Sequence, residues 1–176
     1  MKNLIATLVI GISAAQLMGG VPQKNSVADE KNSASSNVAL PAALIGQWQS
    51  GSLSAEKFYN PSTQQWDEPA GRGIFLIVQA NGDYRFGGGE KIANLQYFVY
   101  QEGKVAVQDS QLQLSPQAGS EYTRDASASQ CAASQRELQA STFKFQVVQD
   151  ARDGRATKLL LTDEHGEVVT LLSSAR

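Results

Sequence analysis

Ile74-Phe75-Leu76-Ile77-Val78-Gln79-Ala80-Asn81-Gly82-Asp83-Tyr84-Arg85-Phe86 is the stretch that decides the fold. The residues from Ile74 to Val78 are apolar at every position, which suits a strand buried on both faces. Asn81-Gly82 marks a hairpin, because both residues tolerate the positive φ of a type I′ turn. Beyond it Tyr84 and Phe86 alternate with Asp83 and Arg85, the period of a strand with one wet face. A buried strand that turns straight into an amphipathic one is the repeating unit of an antiparallel sheet.

The same grammar extends in both directions. Upstream, residues 46–59 predict a long first strand bent near Gly51. Asn60-Pro61-Ser62-Thr63 suits a type I turn, with a short return through Gln65 and Trp66 and a Pro- and Gly-rich loop over 67–73. Downstream, Gly87-Gly88-Gly89 is expected to end its strand and supply a flexible corner. Residues 95–101 and 104–108 read as a hairpin across Glu102-Gly103. Leu112 and Leu114 alternate with glutamines until Pro116 stops that strand, and 120–135 read as a long polar loop. Phe143, Phe145 and Val147 alternate with Lys144 and Gln146. Turns at Arg152-Asp153-Gly154 and at 163–166 lead into 158–161 and Val168-Val169-Thr170-Leu171-Leu172. Strands adjacent in sequence usually pair. The chain therefore predicts an all-β fold, a small antiparallel up-and-down barrel of about eight strands. A sandwich of the same strands is the alternative.

The first 20 residues read as a secretory signal peptide: Lys2, a short apolar run from Leu4 to Ile12, then Ser13-Ala14-Ala15 and Gly19-Gly20. Gly11, Ser13 and Gln16 interrupt the run well before the roughly 20 apolar residues a membrane span needs. Leu17-Met18-Gly19-Gly20 has the form of a lipobox, but Gly20 stands where the acylated cysteine belongs, so no lipid anchor is expected. Residues 21–43 are rich in Ser, Asn, Ala and Lys and lack aromatics, the composition of a disordered linker. Residues 44–176 are the size of one domain. The expected location is secreted or periplasmic.

Composition excludes several classes of function. With 15 Lys+Arg against 17 Asp+Glu, the chain lacks the basic stripe that nucleic acid demands. It also lacks a basic amphipathic helix for a membrane surface. Cys131 is the single cysteine, so no internal disulfide forms, and its neighbours give it no reactive character. A monomer is expected.

Gly46-Gln47-Trp48-Gln49-Ser50-Gly51 resembles the Gly-x-Trp opening of lipocalin-like (calycin) proteins, in which the Trp packs across the barrel floor. The hairpin Val78-Gln79-Ala80-Asn81-Gly82-Asp83-Tyr84 extends the likeness, as do Leu112-Gln113-Leu114-Ser115-Pro116 and Leu159-Leu160-Leu161-Thr162-Asp163 followed by Gly166. Together they resemble a group of uncharacterised secreted bacterial proteins of lipocalin-like form. The resemblance implies a barrel with one end open and carries over no ligand or activity.

Candidate chemistry is sparse. His165, the only histidine, lies beside Asp163 and Glu164 at a predicted hairpin tip, where a solvated turn residue is the better reading than a triad base. No second His or Cys completes a zinc set. Asp150, Asp153 and Asp163 gather around calcium only if one barrel end holds all three. Asp67, Glu68, Glu90 and Glu121 supply carboxylates near loops, and a hydrolase would need two of them across a cleft. No cofactor, metal or catalytic residue is expected. Trp48, Trp66, Tyr84, Phe86, Tyr97, Phe143 and Phe145 are the candidate ligand-binding residues, with Arg72 or Arg85 at the mouth to meet a ligand carboxylate. The alternative is that these aromatics fill the core, as side chains do in small barrels. Trp66, in loop country, is the one expected to be exposed. The favoured expectation is a non-enzymatic binding protein for a small apolar or amphipathic ligand. The alternative is an envelope-associated interaction or inhibitor module that engages another envelope protein through its loops.

Overall fold

The computed structural model describes residues 40–53, 59–60, 62–66, 71–92, 95–125, 131–134, 139–152 and 154–174. The expected leader and nearly all of the linker lie outside these residues, as do Asp67, Glu68 and Asp153. A 3-10 turn at Ala42–Leu44 precedes eleven strands: β1 (Gly46–Gly51), β2 (Tyr59–Asn60), β3 (Gln65–Trp66), β4 (Gly73–Val78), β5 (Asp83–Ile92), β6 (Leu95–Gln108), β7 (Gln111–Asp125), β8 (Cys131–Ser134), β9 (Ser141–Gln149), β10 (Ala156–Thr162) and β11 (Val168–Ser173). Eight of them, β1-β4-β5-β6-β7-β9-β10-β11, close into an antiparallel ring in chain order, because β11 returns to β1 and β6 pairs with β7. This is an up-and-down, lipocalin-like barrel. β2 and β3 form a separate hairpin between β1 and β4, and β8 is added to β7 beyond the ring. Among the described residues no helix is long and apolar enough to cross a membrane.

Alternation sorts the side chains. Trp48, Ile74, Leu76, Val78, Tyr84, Phe86, Val99, Leu112, Leu114, Phe143, Leu159, Leu161, Val169 and Leu171 point inward and form the main core. The barrel has a closed lower end, where the 3-10 turn lies under the sheet and the Trp48 indole N–H donates to the Leu44 carbonyl at 2.9 Å. The upper end carries the β1–β4, β5–β6, β7–β9 and β10–β11 connections.

A second core lies on the outside of the wall. Leu53, Phe75, Phe98 and Tyr100 are buried there, with Tyr59, Trp66, Ile77 and Tyr122 packed against them. The β2–β3 hairpin covers this patch: the Tyr59 ring lies 4.7 Å from that of Tyr100, and Trp66 lies 5.5 Å from Tyr122. Hence β4 is apolar on both faces, one against the barrel interior and one against the hairpin. Gly87 and Gly89 admit this layer. They stand directly across from Phe75 and Phe98 in the ladder. A Cβ on Gly89 would sit 2.7 Å from Phe98 Cδ1, and one on Gly87 would overlap the Phe75 ring.

Several expectations are corrected. The glycine run does not end β5, which continues to Ile92, because the missing side chains are filled by rings from the neighbouring strands. The first strand stops at Gly51, where the chain leaves the ring. No hairpin forms at Glu102-Gly103. β6 runs straight through it, and the bulge lies in β7, where Gln117 is the extra residue; Gly103 leaves room for the backbone at Ser115 and Pro116. Pro116 sits at that bulge, opposite Gly103, and does not stop β7, so residues 120–125, expected in a loop, belong to a strand. The Asn81-Gly82 hairpin exists, but only Gly82 has positive φ (80°). Its amide donates to Gln79 O at 3.0 Å and Gln79 N donates to Asp83 O at 2.8 Å, a type I turn closed by a glycine bulge.

Candidate functional site

The nine expected ligand residues do not converge on one pocket. Trp48, Tyr84, Phe86 and Phe143 belong to the main core, with Tyr97 and Phe145 partly buried against it. A side chain that borders a void wide enough for water keeps accessible surface. Trp48, Leu76, Tyr84, Leu112, Leu159 and Leu171 keep between 0% and 1%. These inward side chains are therefore closely packed, while Phe86, Val105, Val107 and Phe143 keep 7–9%. Trp66 is half-buried in the outer layer, not exposed, because its strand folds back on the wall. Arg85 alternates with Tyr84 and Phe86 and so faces outward, across from Glu102, far from the upper mouth.

Arg72 alone of the two arginines stands at the mouth. The excursion from β1 to β4 is pinched at its neck: Ser52 N donates to Arg72 O at 2.8 Å, and Arg72 N donates to Ser52 Oγ at 3.3 Å. Gly73, at φ 141°, lets the neck close, since a Cβ there would strike the Ser50 carbonyl. So fixed, Arg72 meets a carboxylate of its own chain: its Nη2 lies 3.6 Å from Glu90 Oε1.

Glu90 is the residue that the aromatic reading passed over. Counting inward from Tyr84 and Phe86 at period two gives Gly88 and then Glu90, so the carboxylate faces the interior at the upper rim. Across the ladder it stands opposite Tyr97. Its side chain is 2% exposed, and neither carboxylate oxygen has a hydrogen-bond partner. The period-two count was available in the sequence. What hid it was the glycine run, read as the end of the strand.

Other candidates disperse. His165 is exposed at the β10–β11 turn, and Asp163 Oδ1 is engaged by the backbone N–H groups of His165 at 2.9 Å and Glu167 at 2.8 Å. That carboxylate shapes a turn. Asp150 and Asp163 lie at opposite ends of β10, so they cannot share one calcium ion. No cluster of three His, Cys, Asp or Glu suited to a metal occurs among the described residues. Glu121 lies on β7 across from Val99 and so faces the same interior as Glu90, with β6 between their two strands. Cys131 begins β8, opposite Arg124.

Among the described residues, two surface hollows occur at the lower end. One of about 260 Å³ is lined by residues that include Asp83, Tyr84, Arg85 and Glu102, and one of about 340 Å³ lies beside Ile45, Ile77 and Ser174. Neither contains Glu90. No protein-family model, curated protein or solved structure matches the chain.

Proposed function

We propose that this is a non-enzymatic, exported binding protein, secreted or periplasmic, that takes a small amphipathic molecule at the upper rim of its barrel. The observation that carries this reading is Glu90. A buried carboxylate facing a mostly apolar interior, where Gln101 is the other buried inward polar side chain, is how small-molecule sites combine affinity with orientation. An ionised group held there without hydrogen bonds costs several kcal/mol, and a chain selected for stability alone would replace it with an apolar side chain. The close packing around Trp48 favours a ligand near the rim over one on the floor. The leader-like first 20 residues support export.

The test is titration of the protein with an uncharged fluorescent amphiphile, followed by displacement with unlabelled amphiphiles of different head groups. Saturable, displaceable binding by any of them supports the reading, and absence of binding to a folded sample overturns it. The closely packed floor and the aromatic layer outside the wall favour a second reading, an interaction module that engages another envelope protein through the β2–β3 side.

A further inference from the structure

We infer that the Glu90 carboxylate receives a cationic head group, an ammonium carried on an apolar tail, and that Arg72 occupies its place until such a ligand displaces it. The inference rests on the binding reading above and specifies its chemistry. An ionised carboxylate is an acceptor only, and its two oxygens offer about four lone-pair sites. Glu90 uses none of them in a hydrogen bond. Its one ion-pair partner among the described residues stands at 3.6 Å, well outside the roughly 2.7–2.9 Å of a charge-assisted N–H···O bond.

A structural ion pair looks different. Buried Arg–carboxylate pairs persist when the guanidinium fork satisfies both oxygens and is itself desolvated. Here the arginine side chain is 61% exposed while the glutamate is 2% exposed. Arg72 therefore reaches in from water with one nitrogen, and water can take it back at little cost. Its attraction is that of a partly solvated pair, largely offset by side-chain entropy and screened by salt. A compact ammonium could approach the carboxylate to contact distance and donate as many as three hydrogen bonds. The low-dielectric rim would strengthen that attraction and would repel an anionic head group.

The surroundings suit the tail. Tyr97, partly buried, stands opposite Glu90, and a tail would enter beside it by parting Ile74, Phe86 and Val99, which pack the inner face below. Gly88, the next inward residue beneath Glu90, adds no side chain to the wall. The selectivity expected from the sequence is thus reversed: the mouth presents an anion to a cation, and its arginine is already matched.

The experiment compares dodecylamine, dodecanol and dodecanoate, below their micellar concentrations, as competitors of a bound fluorescent probe on the full chain, with Glu90→Gln and Arg72→Ala beside it. Dodecylamine is expected to bind about tenfold or more tighter than dodecanol, with dodecanoate weakest. Glu90→Gln should erase the preference for the amine and leave dodecanol unchanged. Arg72→Ala should tighten the amine by removing its competitor. Equal affinity for all three head groups, or a preference that survives Glu90→Gln, overturns the inference while leaving a barrel that binds amphiphiles. Loss of amine binding in Arg72→Ala overturns it too. If no amphiphile binds, the binding reading falls with it. Should Glu90→Gln fail to fold, the head-group series and Arg72→Ala still decide.

Discussion

Gly89→Ala is the sharpest test of the layer outside the wall. The added Cβ would lie 2.7 Å from Phe98 Cδ1, 2.9 Å from Cε1 and 3.3 Å from Leu53 Cδ1. Carbon atoms rest at about 3.5–4.0 Å, so the ring must retreat by roughly 1 Å. Phe98 is fully buried, with Leu53, Phe75 and Tyr122 around it, and the hairpin above leaves it nowhere to go. Overpacking of this kind costs typically about 1–3 kcal/mol. Against it stands the usual preference for alanine over glycine in a strand, about 0.5–1 kcal/mol. The net expectation is a loss of about 1–2 kcal/mol, read as a lower midpoint in urea denaturation with an unchanged slope. Phe98→Leu in the same chain should relieve the clash, so the double-mutant cycle should show a coupling of about 1 kcal/mol or more. A Gly89→Ala variant as stable as the parent, or a cycle additive within about 0.5 kcal/mol, would refute the packing account.

Three further outcomes are expected. Tyr84→Phe should be neutral or stabilising by about 1 kcal/mol in urea, because the Tyr84 hydroxyl is buried without a hydrogen-bond partner. Trp48→Phe should cost about 2–4 kcal/mol and remove the buried indole emission, since it orphans the Leu44 carbonyl and leaves space at the floor. Asp83 is held below the usual carboxylate range by hydrogen bonds from Lys104 and then Asn81. Its stabilising share is therefore full above the unfolded-state value and fades as pH falls through the lower folded-state value. Urea midpoints of Asp83→Asn measured down through the carboxylate range should show a slightly flatter acid limb, a small effect for so exposed a pair.

The ring was legible in the sequence wherever burial is one-sided. β9, β10 and β11 show their pairing through Phe143-Lys144-Phe145, Leu159 with Leu161, and Val169 with Leu171, because a wet outer face forces a period of two. The two-faced apolarity of β4 was legible as well, but not what covers its outer face. The hairpin that does so carries only Tyr59 and Trp66 as its apolar pair, too short a segment for any periodicity. Gly87 to Gly89 misled because glycine is a poor strand former alone, and its use here depends on rings supplied by β4 and β6. Likewise the polar residues after Pro116 pair through backbone groups, which leave no hydrophobic trace. Glu90 was visible as an acid near a loop. Its burial followed only once β5 was known to continue through the glycines.

The return of β11 to β1 has a bearing on how the molecule is made. The seam between them is short, with Trp48 opposite Ser173 and Gln49 opposite Leu172, finished by Ser174 N donating to Gln47 O at 2.8 Å. It joins the first strand of the ring to the last, so its loop-closure entropy is the largest in the sheet. Until it forms, β1 and β11 each present a bare row of amide and carbonyl groups to any neighbouring chain. Assembly of the ring is therefore all but complete before its weakest joint is sewn, and a nascent chain is sticky until its final strand has emerged.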